Sequence, residues 1–200
     1  QRIYTPAPTP VEAVTALGAL QAQDYTSVLW SIGLRTPAAT EAEVEQAIAD
    51  RTIIRTWPLR GTLHVVAAAD VRWMLALLTP PVIAGAVRRT QQLELDAAIL
   101  GRAGEVVQAT LAGGRQLARP DLLAELDAVG IATANQRGYH ILWQLAQAGQ
   151  ICFGPRQGKQ PPFVLLDEWV PAAPSLPRAD ALAELARRYF GGHGPATLHD

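Results

Sequence analysis

Residues 119–170 constrain the fold most. "RPDLLAELDAVGIATANQRGYHILWQLAQAGQ" carries two short helical patterns joined through a turn at Gly130. Pro120 suits the first turn of a helix, where its missing N–H has no intrahelical partner to lose. Leu122, Leu123 and Leu126 give that helix a buried side. In the next segment Ile141, Leu142 and Leu145 recur at helical spacing, which leaves Gln136, Arg137, His140, Gln144 and Gln147 for its outer side. "ICFG", a Gly/Pro/Lys loop and "FVLLDEW" then read as a hairpin. Two helices across a turn, followed by a hairpin, make a helix-turn-helix with a wing.

The N-terminal part repeats that order. After the lead "TPAPTP", Val11, Val14, Leu17 and Leu20 at steps of three predict a helix that runs out near Gln21. "TSVLWSIGL" reads as a short buried helix. In "TEAEVEQAIAD", Thr40 and Glu43 form a capping box. "RTIIRTWPLRGTLHVVA" reads as two strands, with Pro58 at an edge or in the turn because it has no N–H for a ladder. "AADVRWMLALLTPP" closes the unit as a helix, with Asp70 in its first turn and Pro80-Pro81 as its stop. "PRADALAELARRYFGGHGPATLHD" opens a further unit. A start at Gln1 rather than Met, and an end at Asp200 inside that unit, predict a piece of a longer protein. The expected fold is therefore mainly α with short β-hairpins, an α+β chain of tandem winged-helix units. One unit spans 1–81, a second 82–172, and 173–200 begins a truncated third.

Composition narrows the function classes. The chain is 49% hydrophobic and 18% charged over 200 residues, enough to bury a sizeable core. Its one Cys and four His give neither a disulfide framework nor a zinc spacing. Cys152 sits in an apolar strand without a His partner, which predicts an inert thiol. No phosphate-loop pattern is present, so neither metal nor organic cofactor is expected. No apolar run approaches a membrane span, and cytoplasmic placement is the default for such a chain. The expected state is a monomer.

A net charge of −1 argues against a nucleic-acid partner, but its distribution argues for one. No Asp or Glu occurs between Arg51 and Ala69, a stretch with Arg55, Arg60 and His64. None occurs between Ala128 and Leu166, which holds Arg137, His140, Arg156 and Lys159. On the second helix of the helix-turn-helix, Gln136, Arg137 and His140 fit base edges or phosphates, or alternatively a solvated or packed helix face. In the hairpin, Trp57, Arg60 and His64 are candidates for a basic, aromatic surface suited to phosphates or an unstacked base. The alternatives there are a core tryptophan and a satisfied, partly buried histidine.

Gln21-Ala22-Gln23 is the remaining oddity. In an unbroken helix these side chains would point about 200° apart. A helix ending near Gln21 would let the second amide swing to the side of the first, and Asp24-Tyr25-Thr26-Ser27, poor in helix formers, favours an ending there. Asp24 is the one acid beside them.

The segments "LQAQDY", "RTWPLRGTLHVV", "DVRWML" and "GPATLHD", in this order, resemble the AlkZ-like (also YcaQ-like) family of bacterial DNA glycosylases. The hairpin segment is the most specific of the four. The resemblance implies three winged-helix units in a C-shaped arch around duplex DNA. It also implies a Q-x-Q catalytic motif, falling here on Gln21 and Gln23; in the YcaQ branch an acid replaces the second glutamine. It further implies release of N7-alkylated purines, including unhooking of interstrand crosslinks. The competing expectations are a winged-helix regulator without catalysis and a protein-interaction array.

Overall fold

The computed structural model describes residues 3–158, 160–172 and 176–197. Its elements run α1 (Pro10–Leu17), β1 (Ala19–Gln21), α2 (Tyr25–Gly33), α3 (Glu41–Ala49), β2 (Ile53–Leu59), β3 (Thr62–Ala67), α4 (Ala68–Gly85), α5 (Val87–Gln92), α6 (Ala97–Leu111), α7 (Arg119–Ala128), α8 (Arg137–Gln147), β4 (Ile151–Phe153), β5 (Phe163–Leu165), α9 (Leu166–Trp169) and α10 (Arg178–His193). The fold is mainly helical with one antiparallel sheet, ordered β1-β3-β2-β4-β5.

Strand alternation divides the core around that sheet. On one face Ile53 and Val65 pack under α1, α2 and α3, in a cluster with Val14, Ile32 and Ile48. Further along the same face, Trp57, Phe153 and Phe163 pack under α6, α7 and α8, with Leu111, Leu122 and Ile141. The opposite face puts Ile54, Val66, Cys152 and Val164 against α4, α9 and α10. The two hairpins meet where β2 pairs with β4 at Arg55↔Phe153. This junction places Arg55 between the two helical clusters of the first face.

Local chemistry accounts for most element ends. Thr40 caps α3 through the expected box: its hydroxyl accepts from the Glu43 N–H, and the Glu43 carboxylate accepts from the Thr40 N–H at 2.6 Å. Asp24 caps α2 by accepting from the Ser27 N–H at 2.7 Å. Arg60 and Gly61, at φ 53° and 69°, form the tight turn between β2 and β3. A Cβ on Gly61 would meet the Trp143 ring at 3.1 Å, and the Gly61 carbonyl accepts from Trp143 Nε1 at 3.0 Å. The hairpin tip is thereby fastened to α8.

Several expectations are corrected. The first helix stops at Leu17, four residues before Gln21, because Gly18 takes φ 77° and turns the chain. Ala19–Gln21 then becomes a strand paired with β3, so Leu20 reaches the core by strand alternation rather than as a helical position. Pro80-Pro81 do not stop α4, which runs on to Gly85. Continuing the helix packs Val82 and Ala86 against the cluster around Trp143, and that burial outweighs two lost helical hydrogen bonds. Pro58 lies in an internal strand, but in the irregular stretch between Thr56 and Leu59. Gln147 is not on the outer side of α8: it is 2% exposed.

The segment after 176 docks through charge. Asp70 is 4% exposed, accepts from Trp73 Nε1 at 3.0 Å, and is ion-paired with Arg188 of α10. Glu184 accepts from the same guanidinium at 2.6 Å. These contacts hold the side chain of Glu184 ionised, its pKa drawn down to about 2 mainly by hydrogen bonding from Arg187.

Candidate active site

Gln21 ends the edge strand β1, opposite His64, and Gln23 lies two residues beyond it, in the bend that leads into α2. Both side chains are exposed, and Gln21 Nε2 donates to Gln23 Oε1 at 2.6 Å. The two amides are thus brought together, but by a strand end and the bend after it, not by a fraying helix end.

The residue between them is anchored from below. Ala22 is fully buried; its N–H donates to the Leu63 carbonyl at 2.8 Å. Its carbonyl accepts two bonds from Arg55, from Nε at 3.0 Å and Nη2 at 2.7 Å. Arg55 is 7% exposed, and among the described residues no carboxylate forms an ion pair with it; its guanidinium lies 5.6 Å from the Tyr25 ring centre and 5.0 Å from that of Phe153. Burial lowers the pKa of Arg55, with Tyr25 and Asp24 opposing. A guanidinium stays protonated through any such shift. Asp24, occupied with capping, has its pKa lowered chiefly by hydrogen bonding from Ser27, so it is ionised at neutral pH and poorly suited to be a general acid.

Beside Gln23 opens a cleft of about 290 Å³. It lies between the two helical clusters, over the β2–β4 junction. Arg55, Trp57, Phe153 and Phe163 line its floor, with Tyr25, Arg119 and Tyr139 around them. Tyr25 has its phenol pKa pushed up to about 12, mainly by burial, so it stays protonated.

The remaining sequence candidates divide. Trp57 and His64 do not share a surface. Trp57 faces the cleft, whereas His64, opposite Gln21 and Thr56 in the register, is 3% exposed on the other sheet face. His64 Nδ1 lies 2.9 Å from the Thr62 carbonyl, and burial lowers its pKa from 6.5. Arg60 is exposed at the hairpin tip. Arg156 is exposed, 3.8 Å from Glu45 and stacked 5.4 Å from the Tyr25 ring centre. Lys159 lies outside the described residues.

On the helix-turn-helix, Gln136 is the left-handed N-cap of α8 rather than a helical residue, at φ 70°. Gln136 Oε1 accepts from Arg89 at 2.6 Å, and His140 lies 3.5 Å from the same guanidinium. Arg137 donates to the carbonyls of Ala132, Leu93 and Glu94. Its guanidinium therefore ties α8 to the turn before α6. Sequence reasoning missed Arg89, Arg119, Tyr25 and Tyr139. Only "RP" at the start of α7 marked Arg119 beforehand, as the residue ahead of a helix-initiating proline.

Among the described residues, no three His, Cys, Asp or Glu side chains group as a metal site, and no helix is long and apolar enough to cross a membrane. Burial pushes the Cys152 thiol pKa far up, so it is no nucleophile. What the arrangement offers chemically is a pair of exposed, untitratable amides, rigidly backed, beside an aromatic cleft.

Comparisons with known proteins agree on one family. The family model described as "DNA glycosylase AlkZ-like" matches residues 14–200. A Streptomyces sahachiroi protein named "Interstrand DNA cross-link repair glycosylase" is 26% identical over 200 residues, covering 96% of this chain and 53% of that protein. The solved structure of Streptomyces sahachiroi DNA glycosylase AlkZ has a TM-score of 0.73 and 23% identity, over 98% of this chain and 55% of that one. The chain spans about half the length of these relatives. With the family match running over nearly its whole length, the chain belongs to the AlkZ-like DNA glycosylase family.

Proposed function

We propose that the protein hydrolyses the N-glycosidic bond of N7-alkylated purines in duplex DNA, interstrand crosslinks included, with Gln21 and Gln23 as catalytic residues. The observation that carries this reading is the hydrogen-bonded amide pair, exposed at the sheet edge on a backbone fixed by Arg55. Family membership supplies the reaction class.

The chemistry suits amides. An N7-alkylated guanine carries a positive charge, so it leaves with the electron pair of the C1′–N9 bond as a neutral base and needs no proton from the protein. The difficult species is the sugar cation. With Gln21 Nε2 donating to Gln23 Oε1, the Gln21 oxygen and a second lone pair on Gln23 point outward as acceptors. Two such oxygens orient a water and stabilise developing positive charge through fixed dipoles. Water adds at C1′ and its proton passes to solvent. Asp24 adds a negative charge nearby, while its own hydrogen bonds are spent on α2.

Duplex DNA is the partner this reaction requires. Arg60 at the hairpin tip and Arg119 at the cleft are exposed cations placed for its phosphates; Arg156, Gln136 and His140 follow. The tandem winged-helix organisation, with units at 1–81 and 82–172 and a third beginning at 173, belongs to the same reading. α7, α8 and the β4–β5 hairpin support that reading of the second unit. The test is incubation of the protein with a duplex containing 7-methylguanine. Free 7-methylguanine and matching abasic sites are the expected products. Salt-dependent DNA binding with no base released would favour a non-enzymatic DNA-binding protein instead.

A further inference from the structure

We propose that His64 is a positioning residue for Gln21, its neutral ring deciding which end of the Gln21 amide faces outward. This rests on the glycosylase reading and deepens it by naming what orients one of the two amides.

The hydrogen bond between the two glutamines does not orient them by itself. Identical amides can bond in either sense, Gln21 donating to Gln23 or the reverse, and each sense presents different atoms to a substrate. The structure holds the first sense, with Gln21 Nε2 donating and the Gln21 oxygen left free. A group outside the pair has to break the symmetry.

The sheet register supplies one. The Ala22 N–H donates to the Leu63 carbonyl, so the next pair along, Gln21↔His64, is of the non-hydrogen-bonded kind, in which facing side chains come closest. Gln21, His64 and Thr56 thus form one row across β1, β3 and β2, on the sheet face toward α4. His64 is 3% exposed, and its Nδ1 lies 2.9 Å from the Thr62 carbonyl. In the neutral ring Nδ1 therefore carries the hydrogen, which leaves Nε2 as a bare acceptor in the row. An acceptor there draws the N–H end of the Gln21 amide and turns its oxygen away.

The surroundings keep the ring neutral. Burial lowers its pKa first, and the charge of Arg60 on the same hairpin adds to this. Charges on the flanking elements are committed elsewhere. Asp70 of α4 is paired with Arg188, Arg72 with Asp167, and Arg55 is bonded to the Ala22 carbonyl; Glu12 of α1 is exposed. Protonation would turn Nε2 into a donor. The Gln21 amide would then turn its oxygen toward the ring, and the outward acceptor for the sugar cation would be lost.

The experiment follows single-turnover release of 7-methylguanine against pH, at saturating protein and below the melting transition, for the unaltered protein, His64→Leu and His64→Gln. The unaltered rate should fall below about pH 6, by about tenfold once the ring is charged, since a hydrogen bond from a charged donor then favours the wrong sense. His64→Leu offers neither acceptor nor donor. It should lose only about twofold on the plateau, as both senses become equally populated, and should show no acid limb. At about pH 5 it should therefore outrun the unaltered protein, which a merely structural histidine does not allow. His64→Gln, which restores an acceptor that does not titrate, should regain the plateau and also lack the limb. A second readout needs no activity. In the DNA-free protein the Gln21 side-chain NH2 signals in NMR, identified by their absence from Gln21→Ala, should move with pH in step with the His64 ring. Unmoved Gln21 signals, as when the Thr56 hydroxyl takes the Nε2 lone pair instead, overturn the proposal. So does an unaltered rate without an acid limb, or a limb that persists in whichever variants fold. Failure to release 7-methylguanine at any pH would strike the glycosylase reading, and the NMR titration would still decide the role of His64.

Discussion

Arg55→Met tests whether the fold holds the two amides in place through Ala22. Methionine keeps the length of the stem and removes the guanidinium. Two charge-assisted hydrogen bonds to the Ala22 carbonyl disappear, and that carbonyl belongs to a fully buried residue. Leaving it unsatisfied costs about 1–3 kcal/mol. Part of this is offset, because a buried guanidinium no longer has to be desolvated. The net loss of stability is expected to be about 1–2 kcal/mol, a drop of roughly 5 °C in Tm for a domain of this size. The rate should suffer more. Freed from its anchor, Ala22 can shift, and a displacement of about 1 Å at reacting groups costs on the order of 100-fold, or about 2.7 kcal/mol of barrier. Single-turnover release of 7-methylguanine, measured well below the melting transition and at saturating protein, reads that term apart from folding. DNA affinity should stay near that of the unaltered protein, since Arg55 is buried. Arg55→Lys, which offers a point donor in place of a fork, should recover only part of the rate. A folded Arg55→Met variant with an undiminished rate would refute the anchoring argument.

Other consequences follow from individual side chains. Arg60→Ala and Arg119→Ala should each weaken binding to any duplex and reduce the slope of log K against log salt by about one, as read by fluorescence anisotropy. Arg137→Ala should leave that slope alone and instead lower stability by about 1–3 kcal/mol, because its guanidinium is committed to backbone carbonyls. The rate of 7-methylguanine release should be flat from about pH 6 to pH 9, since glutamine does not titrate, Asp24 is held ionised and Tyr25 protonated; a bell-shaped profile would require an acid–base pair. Stability should fall on acidification. His64 has a folded pKa below its ordinary 6.5, so the unfolded chain binds its proton first, and the stabilisation present above 6.5 is lost as pH falls below it. His64→Gln should remove part of that loss in thermal melts between about pH 7 and pH 5.

The elements carried by local signals were legible in the sequence. Thr40–Glu43, the two strands of "RTIIRTWPLRGTLHVVA" and the Leu122–Leu145 pattern each depend on residues close in the chain, and the structure realises them. What escaped depends on partners far away. Leu20 fits a helical count as well as a strand, and pairing with Val65 decides the matter. Pro80-Pro81 look like a stop until Val82 and Ala86 find their places against another cluster. At the site, the two glutamines could be picked out, but the interaction that fixes them could not, because Arg55 and Ala22 are 33 residues apart. The acid-free stretch suggested a solvent-facing role for Arg55; burial and two hydrogen bonds give it an internal one. The same holds for Arg137, whose polar type suggested a contact surface while its three carbonyl partners lie in other segments.

The central claim is that Gln21 and Gln23 perform catalysis without titrating. Its most direct test is single-turnover release of 7-methylguanine by Gln21→Ala, Gln23→Ala and the double variant. Both side chains are exposed and contribute little to the core, so Tm and DNA affinity should stay close to those of the unaltered protein. Each single change should slow release by about 2–4 kcal/mol of barrier, comparable with removing one preorganised donor from an oxyanion hole. The double variant should lose less than the sum, because the two amides are hydrogen-bonded to each other and act on one water. Undiminished release by the double variant would contradict the account and move catalysis away from this pair.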